Sequence, residues 1–176
     1  GYPVPTHPLF FFKPPTTLIG QGASIVLTPE NVNVEYEPEL AAVIGKPARF
    51  VSEADALDYV LGYTIGNDVS DREFWKLDGR VSRSKGFDTF CPLGPWINTD
   101  LDPANLKITA ALNGAVQVEG TTADMIFSVA QLVAFLSRVM TLEPGDIILT
   151  GTPPEVGPIV AGDTIAVTIE GIGTLS

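Results

Sequence analysis

Short apolar runs separated by Gly, Pro, Asn and Asp set the rhythm of this chain, and that rhythm predicts strands and turns. Leu40-Ala41-Ala42-Val43-Ile44 is β-branched or small throughout and reads as a strand entering a buried sheet. Tyr59 to Asp68 predicts a second strand, and Ile147-Ile148-Leu149 a short buried one. Thr164 to Glu170 alternates at period two, as a half-exposed strand does. Leu106–Leu112 and Ala115–Val118 flank Asn113-Gly114, the strongest hairpin signal present. Ser24–Leu27 predicts one more strand. The Pro-rich start, with its apolar knot Leu9-Phe10-Phe11-Phe12, predicts an extended segment followed by a short strand. Pro92-Leu93-Gly94-Pro95-Trp96-Ile97 reads as rigid and turn-like.

One segment carries the helical period. From Ser128 to Met140, Val129, Leu132, Val133, Leu136, Val139 and Met140 fall on one face, and Ser128 with Gln131 forms a capping box. Ser52-x-x-Asp55 predicts a short helix running to Tyr59, and Val69–Trp75 a helical turn. No βαβ rhythm and no internal repeat is visible. The class is therefore mainly β, or α+β, with residues 1–176 forming a single domain.

Composition narrows the function. A net charge of −11 lacks the basic footprint that nucleic acid or an anionic membrane needs. No apolar run approaches the ~18 residues of a membrane span, and no signal peptide is visible. The single Cys91 forms no intrachain disulfide, which suits a cytoplasmic location, and it reads as a small buried hydrophobe. His7, the only histidine, lies in the Pro-rich start and reads as incidental.

The candidate chemistry lies at the mouth of the first strand. Glu37 and Glu39 are two apart, so on an extended chain they leave the same face. Two such carboxylates are tolerable if solvated, if one is protonated, or if a cation lies between them. Asp68 closes the second strand, and the three acids together would suit one hard divalent cation. Arg80, Arg83 and Lys85 are the densest cations of an acidic chain and read either as a solvated loop or as an anion-binding lip.

Six motifs in order resemble one family. They are Glu37-Pro38-Glu39-Leu40-Ala41-Ala42-Val43-Ile44-Gly45-Lys46, Gly62-Tyr63-Thr64-Ile65-Gly66-Asn67-Asp68-Val69-Ser70-Asp71-Arg72, Lys85-Gly86-Phe87-Asp88-Thr89-Phe90, Pro92-Leu93-Gly94-Pro95-Trp96, Pro144 to Pro153, and Gly171-Ile172-Gly173-Thr174-Leu175. This set resembles the catalytic C-terminal domain of the fumarylacetoacetate hydrolase family. The resemblance implies a mixed β-sheet roll, a homodimer, and a bound Mg²⁺ that Mn²⁺ or Ca²⁺ can replace. It implies Glu37, Glu39 and Asp68 as metal ligands, and Lys85 as a catalytic residue. Thr152, Gly151 and Arg72 are implied on the substrate side, with Asp71 on the same wall.

The substrate class implied is a 2-oxo acid, handled as a metal-stabilised enolate. Val51–Val60 and Gly120–Ser128 resemble the enzymes of homoprotocatechuate breakdown, in aromatic catabolism. Those isomerise 2-hydroxyhepta-2,4-diene-1,7-dioate or decarboxylate its precursor. Hydrolytic members, the acylpyruvases, resemble a lid with a His and a Glu upstream of a Phe-x-Lys-Pro segment. Here that segment is Phe11-Phe12-Lys13-Pro14, and His7 lies too close to Lys13 to be the lid histidine. The lid is expected to be absent or to have preceded Gly1. An isomerase or decarboxylase is the first expectation, a C–C bond hydrolase the second, and a non-catalytic metal-binding module a distant third.

Overall fold

The computed structural model describes residues 4–176. Two short strands, β1 (Leu18–Ile19) and β2 (Val34–Glu35), precede β3 (Pro38–Ile44), in which all seven residues are buried. β4 (Val60–Asn67) pairs antiparallel with β3, and its last six residues are buried too. β5 (Ser70–Asp71), α1 (Arg72–Asp78) and α2 (Ser82–Lys85) follow in quick succession. After them come β6 (Cys91–Asn98), β7 (Lys107–Leu112), β8 (Ala115–Thr121) and α3 (Val129–Val139). β9 (Ile147–Leu149), β10 (Ile165–Ile169) and β11 (Gly173–Leu175) close the chain.

Three sheets result. The first runs β1-β6-β4-β3-β9, the second β11-β10-β7-β8, and β2 pairs with β5. β1 with β6 is the parallel pair, so the architecture is mixed as the family resemblance implies. Both larger sheets and the helix share one core. Leu40, Ala42 and Ile44 of β3 join Ile108 and Ala110 of β7, Val167 and Ile169 of β10, and Val129, Val133 and Leu136 of α3. The capping box of α3 forms as read from sequence, with Ser128 Oγ accepting from Gln131 N and Gln131 Oε1 accepting from Ser128 N.

Four local expectations come out differently. Residues 24–27 are not a strand, because side chains take the ladder's place: Val26 N donates to Thr89 Oγ1 and Thr28 N to Asn31 Oδ1. Residues 10–12 make no ladder either. Phe12 stays exposed, and the segment instead turns Phe11 and Lys13 toward the acids. Residues 92–97 are part of β6 rather than a turn. Pro95 falls in an irregularity of the β4–β6 register, the place where a missing N–H does least harm. Ser52 and Asp55 do bond to each other, yet the helix tightens to a single 3₁₀ segment, Ala56–Tyr59. The Asn113-Gly114 hairpin forms as read, with both residues at positive φ.

Candidate metal centre

Antiparallel pairing of β3 with β4 is what brings the acids together. Pro38 lies opposite Asn67 and Glu39 opposite Gly66, so the start of one strand meets the end of the other. Asp68 N donates to the Glu37 carbonyl at 2.9 Å, and Glu37 N donates to Asn67 Oδ1 at the same distance. One carboxylate oxygen from each of Glu37, Glu39 and Asp68 then lies within 4.8 Å of the others, and all three residues are buried. A solvated acidic face is thereby excluded.

Buried carboxylates need partners, and most of them come from distant sequence. Lys85 Nζ bonds to Glu37 Oε2 at 2.7 Å and also to Asp68 Oδ2. Lys13 Nζ donates to Asp68 Oδ1 at 2.6 Å, and to the carbonyls of Lys85 and Val69 at 2.8 and 3.3 Å. Arg72 bridges Glu37 Oε1 and Glu35 Oε2 at 2.7 and 2.6 Å. Ser70 Oγ adds a bond to Glu37 Oε1 at 3.1 Å. Among the described residues, Glu39 alone of the three acids makes no ion pair. Its Oε2 accepts from Gly151 N at 2.7 Å.

The electrostatics follow from that asymmetry. Burial, and then the charges of Asp68 and Glu37, push the Glu39 carboxyl well above the ordinary carboxylate range, against the pull of the Gly151 N–H and Lys85. For Lys85, burial pulls downward, but the charges and hydrogen bonds of Asp68 and Glu37 outweigh it. The result is a raised pKa and a fixed ammonium. Phe11 caps that ammonium, its ring centroid 4.9 Å from Nζ. Burial pushes the Cys91 thiol up to about 12, as befits a packing residue and not a nucleophile.

The remaining candidates fall into place around this cluster. Thr152 Oγ1 is buried with no hydrogen-bond partner among the described residues, beside a Gly151 whose N–H is committed to Glu39. Thr150 anchors the same turn, its hydroxyl donating to the Leu40 carbonyl at 2.9 Å. Asp71 caps α1 through Glu73 N at 3.0 Å and also accepts from Val32 N and Asn31. Of the three basic residues read either as a solvated loop or as an anion-binding lip, only Lys85 enters the cluster. Arg83 pairs with Asp78, and Arg80 is exposed on the Gly79 carbonyl. His7 is exposed and contacts Thr6.

Sequence reasoning missed Lys13, Phe11, Ser70 and Asn67. The alternation of Phe11 with Lys13 in an extended segment was the available signal, since i and i+2 leave on one face. The donor set itself tests the fit of a metal. Three hard oxygens converge, one of them on a carboxylate without a counter-charge of its own, which suits a small divalent cation of the Mg²⁺ class.

Comparison with known proteins agrees with this geometry. Residues 2–176 match the family described as fumarylacetoacetate (FAA) hydrolase C-terminal. Protein Rv2993c of Mycobacterium tuberculosis is 51% identical over 175 residues, covering 98% of this chain and 66% of the relative. The structure of 2-hydroxyhepta-2,4-diene-1,7-dioate isomerase from Mycobacterium marinum is 54% identical, with a TM-score of 0.96 over 97% of this chain and 68% of that one. The structure of 5-carboxymethyl-2-hydroxymuconate delta-isomerase from Mycobacterium smegmatis is 50% identical, with a TM-score of 0.96 over 99% of this chain and 70% of that one. The chain thus spans roughly two thirds of the length of each. Among the described residues no helix is long and apolar enough to cross a membrane. With every one of the six motifs inside the matched region and the acids converging as they do, the chain belongs to the fumarylacetoacetate hydrolase C-terminal domain family.

Proposed function

We propose that this chain is a Mg²⁺-dependent enzyme acting on a 2-oxo or 2-hydroxy-dienoic dicarboxylic acid. The reaction is the isomerisation of 2-hydroxyhepta-2,4-diene-1,7-dioate, or the decarboxylation of its precursor, in aromatic catabolism. The observation that carries the proposal is the convergence of Glu37, Glu39 and Asp68 beside a buried Lys85 ammonium. A divalent cation held by the three acids supplies Lewis acidity toward the oxygens of a 2-oxo acid, favouring the enolate form.

The chain's own groups then divide the remaining work. Lys85 is held protonated by its two carboxylate partners, so it offers fixed positive charge to an oxyanion developing beside it. That charge is placed before the reaction begins and needs no reorganisation. Thr152 brings a buried hydroxyl with no hydrogen-bond partner among the described residues, suited to a substrate carboxylate oxygen. Gly151 holds Glu39 in place, and Arg72 holds Glu37, so both serve the site through the acids they bind. Enol–keto isomerisation moves one proton from the 2-hydroxyl to a carbon of the dienol. Decarboxylation of the precursor instead releases CO₂, and the electron pair of the broken C–C bond passes into an enolate that then takes up a proton. The proposal includes a homodimer and a cytoplasmic location.

The names borne by the two mycobacterial neighbours support isomerisation. Turnover of 2-hydroxyhepta-2,4-diene-1,7-dioate and of an acylpyruvate, with added Mg²⁺ and then with EDTA, tests the proposal. Metal-dependent isomerisation without pyruvate release is expected, and Asp68→Ala should abolish it in a folded protein. Release of pyruvate from the acylpyruvate would assign C–C bond hydrolysis instead. Metal binding with no turnover of either compound would leave a non-catalytic module.

A further inference from the structure

We infer that the cavity behind the acid cluster is a second ligand site, taking a neutral, largely apolar small molecule with one oxygen acceptor, and that Asn67 couples it to the metal centre. The cavity lies between the two large sheets and has a volume of about 510 Å³, within the range of small-molecule sites. Ile165 and Val167 of β10, Leu175 of β11, and Ile25 and Leu27 of the irregular segment before β2 form its apolar wall. Asn67, the last residue of β4, lines it too.

Strand alternation fixes which way Asn67 points. Ile65 turns into the shared core, and Asn67 follows two residues on, so it leaves the same face. Its partner across the pair is Pro38, two before Leu40 of that core, whereas Glu39 leaves the other face. Asn67 therefore points away from the acids, and it is only 2% exposed. Its Oδ1 accepts from Glu37 N at 2.9 Å, and that donor sets the orientation of the amide. Nδ2 is left with two N–H groups and no protein acceptor among the described residues. A buried donor so placed favours a ligand oxygen.

Charge selects the class of occupant. Among the described residues no Lys, Arg or His lines the cavity. Its one acid, Asp163, has both oxygens taken, Oδ1 by Asn113 Nδ2 at 2.8 Å and Oδ2 by Val160 N at 2.9 Å. An anion would be buried there without a counter-charge, a cost that a neutral molecule avoids. The dicarboxylic acid proposed for the metal centre therefore does not suit this second site. Coupling runs through one side chain. An occupant held by Asn67 Nδ2 fixes the amide, and the amide fixes the Glu37 N–H, so Glu37 has less freedom to lose when it meets a cation. Metal and ligand then tighten each other's binding by the same factor. This coupling rests on the reading of Glu37, Glu39 and Asp68 as a divalent-cation site.

The test titrates acetophenone, and benzoate as its anionic near-isostere, into the metal-free full chain and follows the amide NMR spectrum. Acetophenone should shift the Asn67 side-chain amide and the main-chain amides of Ile165 and Val167 saturably. Benzoate should bind at least about tenfold more weakly. Asn67→Asp keeps an acceptor for Glu37 N and removes the donor, so acetophenone affinity should fall about tenfold. If that variant fails to fold, Ile25→Trp fills the cavity from the irregular segment and should give a loss of the same order. No saturable shift at these residues, benzoate binding as tightly as acetophenone, or unchanged affinity in Ile25→Trp overturns the ligand site and leaves the metal centre standing. Saturating acetophenone should lower the Mn²⁺ Kd about fivefold. An unchanged Mn²⁺ Kd overturns the coupling, and absence of Mn²⁺ binding overturns the metal centre together with the coupling.

Discussion

β7 and β8 are joined by two residues, Asn113 and Gly114, and bury few of their own, Ile108 and Ala110 on β7 and Val118 on β8. β3 and β4 are also an antiparallel pair, yet fifteen residues separate them, and their facing ends are buried throughout. The first pair needs only local chemistry, since Asn-Gly supplies the positive φ that the turn demands. The second pair carries three buried carboxylates, which on their own would oppose folding. It is stable because Lys13, Arg72 and Lys85 arrive from three other segments to meet them. The candidate metal centre resides in the pair that cannot stand alone.

The largest expected effect tests that dependence at its weakest point. Among the described residues Glu39 has no ion-pair partner, and Glu39→Gln keeps the shape and the acceptor for Gly151 N while removing the charge. Divalent-cation affinity should fall by about 100-fold or more, since a charged ligand is lost. Stability without metal should move the opposite way, with Tm rising by about 2–4 °C. The sign follows from linkage. Folding raises the Glu39 pKa above its unfolded value, so its contribution is fully present below the unfolded value and is lost as pH climbs through the folded one. The Tm advantage of the Gln variant should therefore widen with pH above the ordinary carboxylate range. Thermal melts in EDTA at several pH values check this, and a variant less stable than wild type at neutral pH would contradict it.

Two glycines sharpen the contrast between the pairs. A Cβ on Gly62 of β4 would lie 2.4 Å from the Asn98 carbonyl oxygen, which is backbone and cannot give way. Gly62→Ala should cost about 3 kcal/mol in urea melts and lower turnover with it. Gly114 meets nothing within 4 Å and pays only for its φ of +81°. Gly114→Ala should cost about 1 kcal/mol and leave turnover intact.

The smallest effect lies where the hairpin touches the site. A Cβ on Gly120 of β8 would come within 2.8 Å of Pro153 Cγ, next to Thr152. Gly120→Ala should raise KM about threefold with little change in kcat, as expected if Thr152 contacts the substrate and that contact weakens by a few tenths of a kcal/mol to one. An unchanged KM would detach Thr152 from substrate binding.

The same contrast explains what the sequence made legible. The hairpin, α3 with its capping box, and the apolar run of β3 follow rules that act within a few residues, and each was readable. Glu37, Glu39 and Asp68 were readable as candidates because the i, i+2 spacing and the strand end are local features. Their partners were not. Lys13 lies 55 residues from Asp68, and only the tertiary fold decides that its ammonium turns inward. The Gly151 N–H is a backbone group whose commitment to Glu39 leaves no trace in composition. The failure at residues 24–27 has a similar cause, since Thr89 and not a strand receives Val26 N.

The claim at the centre of this account is that the three buried acids form one divalent-cation site. Titration of Mn²⁺ into the metal-free chain, followed by electron paramagnetic resonance, tests it most directly. The account predicts one tight ion per chain, displaced by Mg²⁺ and lost in Glu39→Gln. Mn²⁺ binding that is absent, or that persists unchanged in Glu39→Gln, would contradict it.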